Sequence, residues 1–209
     1  AKYASLDKLA VGSEKGQKMQ KATVTKNLPL EVTLKKSGIP FRLIPNGTFM
    51  MGSKKGYAVE KKVHSVTLSQ NFYCGKFELT QGNWLKVMDS LPERYTINEL
   101  TRGEDLPMIE VSWDQCQDFL RRLEKLEGMP VKSLNFLSEA QWEYACRAGT
   151  KTEFYFGNVV TSDHINLKGT EPYEGCPVSL YRNKPMPVGS FLPNAFGLYD
   201  MHGNVWERV

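Results

Sequence analysis

An α+β fold is what the 209 residues predict: short strands first, two amphipathic helices in the middle, then a long irregular second half. Three observations carry this. Apolar residues alternate in short runs up to Leu79. Two later segments combine capping boxes with a helical period. Beyond Gly149 neither period is sustained.

The elements follow in order. "LPLEVTLKKSG" (28–38) alternates like a strand and ends at Gly38. "FRLIPNGTFMMGS" (41–53) is two apolar runs around Asn46-Gly47, a hairpin signal. "VHSVTLSQNFYCGKFELT" (63–80) reads as a second strand pair. Thr80 is placed to cap a short helix over 81–89. Residues 91–107 are a polar, Pro-bounded loop with room for one helical turn. Ser112 and Gln115 form a capping box, and Cys116, Phe119, Leu120 and Leu123 recur at i, i+3, i+4, i+7. Gly128 and Pro130 stop that helix. Ser138 and Gln141 form a second capping box, opening a helix that ends at Gly149. A structureless stretch as long as 150–209 needs a reason, such as a bound ion, a ligand site or disulfides.

Composition narrows the function classes. Hydrophobic residues make up 41% of the chain, sufficient for a core. No apolar run approaches the roughly 18 residues of a membrane span. Residues 1–39 hold eight lysines against Asp7, Glu14 and Glu31, a local +5 within a total of +4, so the remainder is −1. These lysines are scattered and no arginine joins them, which favours a solvated basic arm over a nucleic-acid contact. Cys74, Cys116, Cys146 and Cys176 lack metal-ligand spacing, and three of them lie in apolar strand-like or helix-like patterns that read as buried thiols. His64, His164 and His202 lie far apart and are expected in surface or turn positions.

Five phrases, "GTFMMGS" (47–53), "HSVTLSQNFYCGKFELTQGNW" (64–84), "PMIEVSW" (107–113), "LSEAQWEYACRAGT" (137–150) and "PVGSFLPNAFGLYDMHGNVWE" (187–207), resemble the formylglycine-generating enzyme, or sulfatase-modifying factor, domain family in order and rough spacing. The resemblance implies an irregular, loop-rich, C-type-lectin-like fold over 40–209, with 1–39 as an N-terminal extension. It implies a structural Ca2+ at the last phrase, with Asp200 and Glu207 giving carboxylates and Gly203 and Val205 giving carbonyls; calcium takes six to eight oxygen ligands, about 2.3–2.6 Å away. Read from the residues alone, the same segment is a turn with Leu198 and Trp206 plugging the core. A second family calcium site implies Asn166 and the Leu167 carbonyl plus a later acid, yet no Asp or Glu lies between Gly175 and Val188.

The resemblance also implies an activity, oxidation of a sulfatase cysteine to formylglycine at a copper(I) ion held by two cysteines of a C-terminal tail. None of the four cysteines occupies those positions, although Cys146 matches a family disulfide position. This sequence carries no such tail after Glu207; a chain truly ending at Val209 would expose apolar faces and a strand edge, so an incomplete sequence, a proteolysed chain or a tail on another polypeptide is expected. Two functions compete: an oxidase acting on a sulfatase polypeptide, with copper(I) only if the tail exists, and a non-catalytic binding module for a protein or other surface ligand. The second follows the diversity-generating retroelement variable proteins and accessory domains that share the fold. Sulfoxide synthases need an N-terminal histidine cluster, and residues 1–39 contain no histidine. Either a cytoplasmic or a secreted location fits.

Overall fold

The computed structural model describes residues 14–24, 28–55, 60, 62–92 and 101–209. The elements are α1 (Glu14–Val24), β1 (Glu31–Thr33), β2 (Pro40–Ile44), β3 (Gly47–Met51), β4 (His64–Leu68), β5 (Phe72–Gly75), α2 (Gln81–Met88), α3 (Trp113–Glu127) and α4 (Glu139–Arg147). Among the described residues, no helix or multi-residue strand follows Arg147. The α+β class and the loop-rich second half are as expected. The helical turn considered within 91–107 falls mainly on residues outside those described.

The strand pairing corrects the sequence reading. β2 does not fold back on β3, nor β4 on β5. Instead β2 pairs with β5 and β3 with β4, both antiparallel, while β1 adds to the other edge of β2. The two pairs form one nested, bent ribbon. Ile44 opposes Phe72 and Gly47 opposes Leu68, so residues 45–46 face residues 69–71, one residue more. That extra residue bends a ribbon much as a bulge does. The Asn46 amide donates to Asn71 Oδ1 at 2.8 Å across the corner. The physical reason is local. A tight type I′ reversal needs positive φ at both central residues, and neither Asn46 nor Gly47 has it.

Three helices start and stop where their capping residues dictate. Thr80 accepts the Asn83 amide and Asp89 closes α2 in the left-handed region. Both capping boxes form, at Ser112/Gln115 and Ser138/Gln141. Gly128 ends α3 at φ 71°, and α4 ends one residue earlier than expected, with Ala148 at φ 45°. α2 and α3 join through Trp84 and Phe119, stacked at 5.3 Å, in a cluster with Ile39, Val87, Met108 and Leu123. A second cluster gathers Ile44, Tyr144, Ala145, Phe196, Leu198 and Met201.

The stretch read as a basic arm supplies the expected strand, β1, and an unexpected helix, α1. On α1 the residues with described buried side positions are Gly16 and Gln20. One is small and the other polar, so no apolar stripe announces the helix.

The turn at 194–198 ties these parts together. Asn194 is fully buried. Its Nδ2 donates to the carbonyls of Ala145 (2.8 Å) and Cys146 (3.2 Å), and its Oδ1 accepts the amides of Phe196 (2.9 Å) and Leu198 (3.2 Å). Asn194→Ala leaves these groups unpaired in the core and is expected to lower stability by about 3 kcal/mol, read from urea unfolding.

Candidate metal centre

The segment after the turn builds the site. Asp200 sits in the left-handed region at φ 59° and is 5% exposed. Aspartate tolerates that backbone better than most residues. Its Oδ2 accepts the Gly189 amide at 2.7 Å, whereas Oδ1 is buried without a partner. Gly203 is required by close approach, since a Cβ there would lie 2.6 Å from the Asn166 carbonyl oxygen. Its amide donates to Asp200 O at 3.2 Å, and its carbonyl accepts the Val205 amide at 3.0 Å.

Asn166 therefore joins the first residue set. Its carbonyl accepts the Asn204 amide at 2.9 Å, and its Nδ2 donates to Asn204 Oδ1 at 3.1 Å and to Lys184 O at 2.8 Å. The Leu167 carbonyl accepts the Gly169 amide at 3.0 Å. Glu207 is exposed overall, but its carboxyl group is surrounded by protein and accepts Trp142 Nε1 at 2.5 Å. Trp206 departs from expectation. It is fully exposed at the rim of the groove described below and plugs no core, whereas Leu198 is fully buried.

A further acid completes the cluster. Glu78, 7% exposed, accepts Asn204 Nδ2 at 2.6 Å and the Val205 amide at 3.2 Å. Its one sequence signal is a charge between Phe77 and Leu79 in an otherwise apolar run. Burial first, and then Asp200, push its carboxyl up to about 9, against the pull of Asn204. Burial pushes Asp200 up to about 6, with the Gly189 amide opposing. Burial also raises Glu207, Trp142 opposes this, and Asp200 adds to the rise.

Among the described residues, no ion pair reaches Glu78, Asp200 or Glu207. A buried carboxylate without a counter-charge is costly. The donor set is all oxygen, which suits a hard cation, and the unpartnered Asp200 Oδ1 is an available ligand atom. No three His, Cys, Asp or Glu side chains among the described residues converge as a metal site.

Cys74 and Cys146 are poor soft-metal ligands because burial keeps them protonated. All four are free thiols. Burial holds Cys74 up at about 12 and Cys146 higher still. His202 occupies a turn position, as expected, closed by the Gly203 amide on Asp200 O, but it is only part-exposed. Its ring stacks on Tyr155 at 5.2 Å, its Nε2 accepts the Tyr155 amide at 3.1 Å, and Cys146 Sγ lies 3.6 Å from the same nitrogen. Burial, then Arg147, lower its pKa to about 4, so the pair is neutral at pH 7.

Beside the acids lies an open groove of about 1350 Å³, with Phe41, Leu134, Trp142 and Met201 among its apolar walls and Glu78 and Glu207 among its polar groups.

A carboxyl whose pKa is raised by folding stabilises below its ordinary value and loses that contribution as pH rises through the folded value. For Glu78 the window runs from 4.5 to about 9, and for Asp200 from 3.8 to about 6. Without divalent cations, the Tm is expected to fall as pH rises from 5 to 9. Glu78→Gln is expected to flatten the fall above pH 6, measured by thermal melts in chelator.

The comparisons with known proteins agree with this architecture. The Sulfatase-modifying factor enzyme 1-like domain matches residues 33–209. Chaperone protein LppX of Paenibacillus barcinonensis is 28% identical over 204 residues, covering 79% of this chain and 69% of that protein. Formylglycine-generating enzyme of Thermomonospora curvata is 31% identical over 115 residues, 53% of this chain and 35% of the enzyme. The chain thus spans about a third of that enzyme's length. The structure of PvdO from Pseudomonas aeruginosa superposes with a TM-score of 0.62 at 27% identity, covering 84% of this chain and 71% of that one. The fold is C-type-lectin-like, and the chain belongs to the sulfatase-modifying factor enzyme 1-like domain family.

Proposed function

We propose that this chain is a formylglycine-generating-enzyme-like scaffold whose loop at 200–207 holds a structural Ca2+. Asp200 and Glu207 supply carboxylates, and the carbonyls of Gly203 and Val205 supply neutral oxygens. Asn166 meets this loop through Asn204, and no acid lies between Gly175 and Val188 to complete a second site with the Leu167 carbonyl. The observation that carries the reading is the buried Asp200 Oδ1, which has no partner inside a family motif. A bound dication would offset the charge that Glu78, Asp200 and Glu207 carry once ionised; among the described residues no lysine or arginine pairs with them.

On this reading the substrate is a cysteine-bearing segment of a sulfatase polypeptide. Its oxidation needs copper(I) on thiolates other than the four here, because none of the four occupies the positions of the family's copper pair; Cys74 and Cys146 are in addition buried and stay protonated. The second reading, a non-catalytic module that binds a protein or other surface ligand, is favoured by the likeness to a chaperone over most of the chain.

Calcium at 100 times its Kd is expected to stabilise the protein by about 2.7 kcal/mol. Asp200→Asn is expected to abolish that gain, and a wild-type melt that calcium leaves unmoved would defeat the calcium reading. Conversion of a sulfatase cysteine peptide to the aldehyde by the copper-loaded full chain, followed by mass spectrometry, separates oxidase from binding module.

A further inference from the structure

The matched family span begins at residue 33, yet α1 is joined to the centre of the domain. Gln20 is 4% exposed, and its Nε2 lies between two carbonyls from distant parts of the chain. It donates to Leu43 O on β2 at 2.7 Å and to Phe196 O in the 194–198 turn at 2.9 Å. Four residues earlier, on the same helix face, Gly16 meets the end of α4. A Cβ there would lie 2.3 Å from Ala148 O and 3.2 Å from the Ala195 side chain, so only glycine permits this approach.

We propose that α1 is a strap that clamps the 194–198 turn onto the sheet, so that the segment leading to Asp200 is held by residues outside the family's own span. The linkage is short. Phe196 O receives Gln20 and also Arg42 Nε at 3.0 Å, and the chain runs from there to Tyr199, whose amide donates to Lys76 O at 3.1 Å. Releasing the strap unpairs Leu43 O and leaves Phe196 O with Arg42. Among the described side chains of the helix, Glu14, Lys15, Gln17 and Lys18 face solvent. Among the described residues the fastening includes the Gln20 amide and the close backbone contact at Gly16, neither of which involves a bound cation.

Hydrogen exchange read by mass spectrometry on the full chain tests this. Gln20→Leu keeps the bulk and removes the donor, while Gly16→Val attacks the other fastening. Both are expected to speed exchange in 194–201 by about tenfold, the equivalent of one lost hydrogen bond, and to leave α3 unchanged. Lys18→Ala, on the exposed side, is expected to change neither segment. Unchanged exchange at 194–201 in both variants would overturn the strap. So would equal acceleration of 194–201 and α3, which reports general destabilisation.

Discussion

The structure depends on the hydrogen-bonded turn at 194–198. Regular elements are few after Arg147, so the second half cannot satisfy its backbone through ladders or helices. One buried amide side chain substitutes for them. Asn194 reaches back to the last turn of α4 and closes its own turn with its oxygen. Gly197, at φ 76°, lets Arg42 pass, since a Cβ would stand 2.6 Å from Nε. Arg42 then reaches Phe196 O, and Phe196 and Leu198 bury completely in the cluster beneath.

Two treatments of buried acid stand side by side. Glu31 is met by Lys76 at 2.9 Å and Arg42 at 3.1 Å; burial raises its pKa, but these two cations outweigh it and leave the carboxyl below its ordinary value. Glu78 and Asp200 receive amides and one another instead, and both rise. The same sheet end therefore holds a neutralised acid and an uncompensated pair. Negative charge concentrated without a partner costs stability unless something else supplies the positive charge. Oxygen donors of this kind discriminate by hardness, which is why the loop suits a dication and the protonated thiols nearby do not suit a soft one.

The groove beside the loop joins the two apolar clusters through one surface. Cys116, Phe119, Leu120 and Leu123 of α3 all line the groove, and Phe119, Leu120 and Leu123 also belong to or pack on the α2–α3 cluster. The same apolar stripe thus serves both the packing and the groove wall. Trp206 extends this surface outward instead of closing it.

The sequence alone determined what is decided within a few residues: both capping boxes, the Thr80 cap, the strand segments, and the motif that places Asp200, Gly203, Val205 and Glu207 in one loop. These signals are short-range, because a cap or an alternating run is satisfied by its own neighbours. The tertiary structure decided the rest. Which strands pair depended on the backbone at Asn46-Gly47, which bends a long ribbon where a dipeptide rule expects a reversal. The α1 helix was illegible because Gly16 and Gln20 present a gap and an amide, whose worth appears only against Ala148, Leu43 and Phe196. Glu78 meets Asn204 across 126 positions, and no spacing rule spans that distance. Local propensity is written in adjacent residues, whereas a buried charge or a close contact gains its meaning from whatever the fold brings against it.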